Sequence, residues 1–208
     1  VGVESFHLSW RNSAALGDNT RALFGLEWTR HELDRTGGTW LPENLKALAL
    51  PLGVSHRFDE RWRLLVTMTP RLAGADGDFG DARVDLPMLA LASYASRPEL
   101  VWSFGFRYGA QSDIKLLPIA GVTWRFAPDW EFRLAWPESG LSWRATEELT
   151  LRAVATIQGG DYRLAEDPRP AGQRTGGSWA GDWFEYREVR VGLAAEYAFA
   201  PTFGLRVE

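Results

Sequence analysis

The stretch Trp130–Trp136, with the sequence WEFRLAW, decides the fold class. Its even positions carry Trp, Phe, Leu and Trp, whereas positions 131 and 133 carry Glu and Arg. Successive side chains leave opposite faces of a β-strand, so this alternation produces one apolar and one charged face. The stretch therefore predicts a strand that separates an apolar surface from a polar one.

The same period of two recurs along the chain, for example in Trp62–Arg71, Leu100–Gly109 and Leu149–Gln158. No segment places apolar residues at helical spacing, which predicts an all-β protein. About twelve strands follow from the pattern, at 2–11, 20–33, 45–57, 61–72, 82–95, 100–111, 116–126, 130–137, 141–146, 149–159, 183–199 and 203–208.

The connections between these strands alternate in length. Short turns occur at Phe58–Trp62, Phe126–Trp130 and Ala145–Leu149, and longer polar segments lie between them, apart from the short Pro137–Gly140. The longest, 159–182, is rich in Gly and Pro and is predicted to be a long extracellular loop. Short turns on one rim and long loops on the other are typical of a bacterial outer-membrane barrel. Residues 1–208 are therefore predicted to form one antiparallel, up-and-down transmembrane β-barrel domain.

Composition excludes several other classes of protein. The chain has 208 residues, a net charge of -4, 11 Trp and no Cys, so it has no disulfide framework, thiolate metal site or Cys nucleophile. The charge gives no reason to expect nucleic acid as a partner. The longest uncharged run, Leu86–Ser96, is far shorter than the roughly 20 apolar residues of a membrane-spanning helix. The N-terminal residues lack the pattern of an export signal, which is expected to have been removed or never present.

One face of the predicted sheet carries most of the strand arginines. Two architectures could use it: a soluble sandwich with an apolar core, or a membrane barrel with a charged lumen. Twelve strands are too many for side chains to fill a soluble barrel. Aromatic residues also flank the short turns, where an interfacial girdle belongs, at Phe58, Trp62, Tyr94, Trp124, Phe126, Trp130, Tyr197, Phe199 and Phe203. Both observations favour the membrane barrel. Its charged face comprises Arg21, Arg57, Arg63, Arg71, Arg83, Arg107, Arg125, Arg133, Arg144, Arg152, Arg190 and Arg206, with Glu27, Asp85, Glu131, Glu188, Glu196 and Glu208.

The C-terminal half also resembles a known family. The run Leu117–Ala153, the motif GGDYRL at 159–164 and the stretch Phe184–Phe199 resemble an uncharacterised family of bacterial outer-membrane β-barrel proteins, defined by a domain of unknown function. The most specific part is the hairpin Trp136–Trp143 together with GGDYRL. The resemblance implies the barrel fold and the outer membrane of a Gram-negative bacterium. It implies no activity and no site residues.

The two ends of the chain depart from the usual barrel pattern. Such barrels usually end in an aromatic residue, whereas this chain ends at Glu208. If short turns face the periplasm, strand 2–11 runs inward and strand 203–208 runs outward. Because both termini of such barrels normally lie in the periplasm, we expect at least one further strand at each end and fourteen in the intact barrel.

The arginine face supports two predictions of function. Arginines around a water-filled lumen attract anions, which predicts a passive, porin-like channel for small anionic solutes. Its lining would be Arg63, Arg107, Arg125, Arg133, Arg144, Arg152 and Arg190, with Arg133 and Arg152 setting the ion preference. Alternatively, arginines pair with Glu131, Glu188 and Glu196 and fill the lumen. The closed barrel would then anchor or scaffold other outer-membrane or periplasmic proteins in the lipid bilayer.

A third hypothesis, lipid hydrolysis, is weaker. His7 shares a strand face with Ser5 and Ser9, and a Ser–His pair is the minimum for nucleophilic catalysis. A polar lumen strand explains the same residues, so no catalytic residue and no enzyme activity are predicted. The three histidines are scattered, and the acidic pairs Asp59–Glu60 and Glu147–Glu148 fall in turns. Neither a metal site nor a cofactor is predicted.

Overall fold

The computed structural model describes residues 3–34, 40–76, 82–111, 114–169, 171–174, 176–200 and 203–207. Within this part of the chain, no helix has the length and hydropathy needed to cross a membrane. The described residues form one short 3-10 helix, Ala171–Gln173, and fifteen β-strands. The strands are β1 Val3–Ala15, β2 Thr20–Leu33, β3 Asn44–Ala49, β4 Leu52–Arg57, β5 Trp62–Met68, β6 Arg71–Ala75, β7 Arg83–Asp85, β8 Met88–Arg97, β9 Leu100–Tyr108, β10 Leu116–Ala127, β11 Trp130–Leu134, β12 Glu138–Arg144, β13 Leu149–Leu164, β14 Trp183–Ala200 and β15 Phe203–Val207.

Prolines divide three of the predicted strands in two. Pro51 separates β3 from β4, Pro70 separates β5 from β6, and Pro87 separates β7 from β8. Proline has no N–H to donate to a sheet, although its carbonyl can still accept. The carbonyls of these prolines each accept a backbone N–H at 2.9 Å, from Gly25, Leu50 and Thr69 respectively. The prolines therefore form one line across neighbouring strands, and the described strands form twelve continuous runs, which confirms the predicted number.

Each run pairs with the next one along the chain in antiparallel orientation, as predicted. In the middle of the sheet, β8 pairs with β9 and β9 pairs with β10, so that Phe104 lies between Ala92 and Ala120. The longest ladder joins β13 to β14, from Leu149↔Tyr197 to Arg163↔Trp183. Because neighbouring strands pair in this way, their register determines which inward side chains lie next to each other.

The barrel closes through a pairing that the sequence pattern does not predict. On the side of the prolines where the longer connections lie, β6 pairs in parallel with the end of β13. Gly74 lies opposite Arg163, and Ala75 lies opposite Leu164. The β-barrel is therefore mixed rather than purely antiparallel. Among the described residues, β1 pairs with β2 and β15 pairs with β14, but β1 and β15 do not pair with each other. Further strands at the two ends remain a prediction.

Several predicted boundaries are wrong; for example, the first strand continues to Ala15 instead of ending at 11. The strand predicted to end at 159 continues to Leu164, so the long loop begins at 165 rather than at 159. Residues 159–164 are extended because they pair with β14 and β6, which outweighs the flexibility of two adjacent glycines. In addition, β12 begins at Glu138, so most of the predicted Pro137–Gly140 connection belongs to a strand.

The packed core lies at the long-loop end of the barrel. Leu45, Ala73, Ala75 and Tyr162 are at most 1% exposed, and Leu33, Ala47, Leu164 and Tyr186 complete the cluster. These residues come from β2, β3, β6, β13 and β14, which meet where β13 pairs with β6. This core cluster closes the long-loop end of the barrel on that side.

The outer face of the barrel is apolar and exposed. Trp102, Phe104 and Phe106 of β9 are 45–48% exposed, and Val191 and Leu193 of β14 are 81% and 78% exposed. The alternate residues of β9 point into the barrel. Ser103, for example, is hydrogen-bonded to Ser93, which lines an interior cavity. The side chains of Arg83, Phe199, Phe203, Arg206 and Glu208 lie outside the described part of the structure.

Candidate functional site

The predicted lining arginines share the inward face of the sheet. Register places Arg133 opposite Thr123 and Gly140, and Arg152 opposite Ser142, all on the face turned away from the exposed aromatics. Arg11 and Glu138 also lie on this face, although the sequence analysis did not include them. What differs between these arginines is their partners.

On β10 to β14 most of the inward arginines are paired with carboxylates, whereas Arg144 forms no ion pair among the described residues. Glu131 lies 3.2 Å from Arg133 and 3.6 Å from Arg125. Arg152, whose side chain is 17% exposed, lies 3.6 Å from Glu138 and 3.7 Å from Glu196. Ion pairs in this arrangement fix the strand register and compensate most of the positive charge of the wall.

Two further predicted arginines are also engaged. Arg190 lies 2.6 Å from Glu188 and donates a hydrogen bond to the Ser5 hydroxyl at 2.5 Å. Arg107 lies over the ring of Trp136, with 5.4 Å between the guanidinium carbon and the ring centroid. Both side chains are held by specific contacts rather than projecting into open water.

A small cavity of about 180 Å³ lies along this paired wall, near the short turn at Pro128 and Asp129. Three arginines and three acidic residues line it, so it carries no formal net charge. The arginines are Arg125, Arg144 and Arg152, and the acids are Asp129, Glu131 and Glu196.

A second cavity, of about 640 Å³, lies on the inner face of β2, β4, β5 and β8 at the same end of the barrel. Three arginines and one aspartate line it, which leaves a formal charge of +2. They are Arg21, Arg57, Arg63 and Asp18, together with Asn19, Leu23, Ser55, Leu65, Leu91 and Ser93. We call this the basic cavity.

The arginines of the basic cavity have neutral partners or none. Arg21 donates to the Ser13 hydroxyl at 2.9 Å, and Arg57 donates to the Asn19 side-chain carbonyl at 3.3 Å. Among the described residues, no carboxylate lies within ion-pair distance of Arg21, Arg57 or Arg63. Since Arg57 and Arg63 are direct cross-strand partners, two like charges face each other. Such pairs destabilise a sheet.

Of these three arginines, only Arg63 is among the residues predicted to line the lumen. Arg21 and Arg57 were assigned to the same face but not to the site. A signal for Arg57 was available, because 57 and 63 are equally distant from Glu60 in the turn that joins their strands. A short hairpin brings such positions opposite each other.

At the long-loop end, inward charges are buried under the core cluster. Arg71 donates to the backbone carbonyl of Asp161 at 2.5 Å, and its guanidinium carbon lies 5.1 Å from the Tyr162 ring centroid. Asp85 and Asp161 are each 3% exposed. The lumen therefore ends in a dense mixed core on this side, whereas both cavities lie at the short-turn end.

The histidines do not form the pair considered from the sequence. His7 Nδ1 lies 3.0 Å from the Thr29 hydroxyl, whereas Ser5 lies 2.7 Å from His31 Nδ1. His31 is 3% exposed and packs against Tyr186, with 5.2 Å between ring centroids. His56 lies beside the turn between β4 and β5, with 4.7 Å between its ring centroid and that of Phe58. Across the described ranges, no three His, Asp or Glu side chains converge on a point that could hold a metal.

The described part of the loop after β13 folds onto the end of the barrel. Asp167 accepts two hydrogen bonds from the Arg169 guanidinium, at 3.0 and 2.8 Å, and one from the Trp179 backbone at 3.1 Å. The Arg169 hydrogen bonds hold the pKa of Asp167 well below its usual range. The Arg169 guanidinium also stacks on the Trp179 ring, with 3.7 Å between the guanidinium carbon and the ring centroid. We call Asp167, Arg169 and Trp179 the loop clamp.

Comparison of the chain with protein-family models, with curated proteins and with solved structures finds no match. The resemblance to an outer-membrane barrel family therefore remains a prediction from the residues.

Proposed function

We propose that this chain is a β-barrel of the bacterial outer membrane that lets small anionic solutes pass through its lumen. The exposed apolar face supports membrane insertion. In β9, the outward side chains from Leu100 to Tyr108 are all apolar or aromatic. β9 has nine residues, and a tilted transmembrane strand needs about 9–11 residues to cross the bilayer.

Aromatic contacts near the short turns support the same location. Trp130 lies 6.2 Å from Phe126 and 5.8 Å from Trp143 between ring centroids, and Trp62 lies 4.8 Å from Tyr94. All five side chains are on the outer face and close to turns. Tyr and Trp favour the membrane–water interface because their rings are apolar and their polar atoms remain hydrated.

One observation carries the preference for anions. The larger cavity is lined by three arginines without carboxylate partners, while the smaller cavity is neutral. A wall with a net positive charge raises the local concentration of anions and repels cations. Because the core cluster closes part of the long-loop end, we expect a narrow path and a small conductance.

Ion conduction through planar bilayers tests this function. With a KCl gradient across a bilayer that contains the refolded protein, the expected reversal potential has the sign of chloride preference. Increasing the salt concentration should reduce the preference, since salt screens the arginine field. Absence of conductance, or a preference for potassium, would overturn the proposal.

The second candidate is a closed barrel that anchors or scaffolds other proteins. The carboxylate pairs on the β10 to β14 wall and the core cluster favour it, since both fill the interior. Purification from outer membranes in mild detergent tests it. A stoichiometric partner together with zero conductance would support the scaffold, and a conducting protein without such a partner would contradict it.

A further inference from the structure

We propose that Arg21, Arg57 and Arg63 form a binding site for a small, soluble, phosphate-bearing anion at the short-turn end of the lumen. This inference rests on the proposed function, since the anion reaches the site through the lumen. It moves the specificity-determining position from Arg133 and Arg152 to a different part of the wall.

The charge balance of the cavity is the first step. Arg133 and Arg152 each lie within 3.7 Å of a carboxylate, so an anion would have to compete with Glu131, Glu138 or Glu196 for them. None of the three arginines of the basic cavity forms an ion pair with a described carboxylate, and with Asp18 in the lining the cavity keeps a formal charge of +2. An anion there gains the interaction without breaking an ion pair.

The relative position of two arginines is the second step. Cross-strand partners have Cβ atoms about 4.5–5.5 Å apart, so the Arg57 and Arg63 side chains start next to each other. Guanidinium groups on such neighbouring side chains repel each other, and an anion that bridges them removes the repulsion. A phosphate group has enough oxygens to accept from several guanidinium forks at once, and arginine is preferred where such geometry is required.

The remaining lining residues fit a polar solute. Ser55 and Ser93 supply hydroxyls, Asn19 supplies an amide, and Leu23, Leu65 and Leu91 supply apolar surface. A volume of about 640 Å³ is larger than inorganic phosphate requires and falls within the 300–1,000 Å³ usual for small-molecule sites. The site therefore has room for a phosphorylated small molecule. Lipid phosphates are excluded as its occupant, because the cavity lies on the face opposite the exposed apolar belt.

Equilibrium dialysis of refolded protein in uncharged detergent against labelled inorganic phosphate tests the site. The wild-type protein should bind phosphate saturably, and Arg57→Gln combined with Arg63→Gln should weaken binding by at least about tenfold, since each substitution removes a charged hydrogen-bond donor. The matched control is Arg125→Gln combined with Arg133→Gln, which should change affinity less than about threefold. Thermal unfolding establishes that both double variants are folded.

The outcomes separate this inference from the proposed function. No saturable phosphate binding by the wild type, or equal loss in both double variants, overturns the site. Saturable binding that depends on Arg57 and Arg63, in a protein that conducts no ions, supports the site and overturns the channel. Anion-selective conduction that phosphate does not inhibit supports the channel and overturns the site.

Discussion

Arg57 of β4 and Arg63 of β5 are direct cross-strand partners on the inner wall of the barrel, and neither forms an ion pair with a described carboxylate. Elsewhere on the same wall, Glu131 lies between Arg125 and Arg133 and forms an ion pair with each of them. The barrel therefore keeps a charge repulsion in one place and removes it in another. A sheet selected for stability alone would not retain this contrast, which is why we connect it with anion binding.

Reversing one charge of the facing pair should stabilise the protein. Arg63→Glu places a carboxylate opposite Arg57, which replaces repulsion by attraction and adds about 0.2–1 kcal/mol to the free energy of unfolding. Urea unfolding of the protein in lipid vesicles, followed by tryptophan fluorescence, measures the change. The same variant should lose phosphate binding.

The control for this prediction is Arg133→Glu, which puts a second carboxylate beside Glu131 and should lower the free energy of unfolding. If Arg63→Glu destabilises the barrel as much as Arg133→Glu does, Arg57 and Arg63 do not repel each other in the folded protein.

The strand pattern predicted the fold class, the number of runs and the face of most strand residues, because alternation in a strand depends only on local geometry. Trp102 and Phe104, for example, point outward because side chains alternate along β9, as their spacing in the sequence predicts. The prediction for Trp136 was wrong: β11 ends at Leu134, and Trp136 contacts the inward Arg107 instead of joining the outer apolar face. The pairing of β6 with β13 could not be predicted, since it joins residues about ninety positions apart and involves the motif GGDYRL, whose glycines favour a loop. Tertiary contacts of Tyr162 in the core cluster override that preference.

The candidate site was predictable only in part. Parity assigns arginines to the inner face, but it does not show which of them meet a carboxylate. That depends on register: Arg152 reaches Glu196 because Thr150, two residues before it on the same face, lies opposite Glu196. Sequence reasoning therefore selected Arg133 and Arg152, which are mid-strand but paired.

A close approach of two backbones makes Gly105 irreplaceable. A Cβ at this position would lie 1.9 Å from the Ala90 carbonyl oxygen, and backbone cannot move aside as a flexible side chain can. Gly105→Ala should therefore lower the free energy of unfolding by about 1–3 kcal/mol. Gly192 also faces inward within a strand, but a Cβ there has no neighbour within 4 Å.

Gly192→Ala is therefore the matched control, with an expected change within about 0.5 kcal/mol. Urea unfolding midpoints of the two variants give the comparison. Equal midpoints would show that β8 and β9 do not approach as closely as the structure has them.

The loop clamp should keep the described part of the loop resistant to proteases. Asp167→Asn removes the charge that Arg169 and the Trp179 backbone recognise, so trypsin should cleave after Arg174 several-fold faster than in the wild type. Asp182→Asn, which changes an exposed aspartate of the same loop, is the control and should leave cleavage unchanged.

The loop clamp also has a defined pH dependence. The pKa of Asp167 is lower in the folded protein than the value of about 3.9 in an unfolded chain, because Arg169 donates to its carboxylate. Its stabilisation is fully present above pH 4 and is lost as the pH falls through the lowered folded value. Digestion with pepsin at pH 3 should therefore spare the wild-type loop and cleave Asp167→Asn. Equal digestion of both would contradict the clamp.

The central claim, an apolar exterior around a charged lumen, is tested most directly by the accessibility of spin labels along β9. The chain has no Cys, so single cysteines at 101, 102, 103, 104 and 106 can each be labelled alone in vesicles. Labels that replace Trp102, Phe104 and Phe106 should collide with oxygen dissolved in the lipid. Labels that replace Val101 and Ser103 should instead collide with a water-soluble nickel chelate. Inverted alternation, or uniform access to the chelate, would contradict the account.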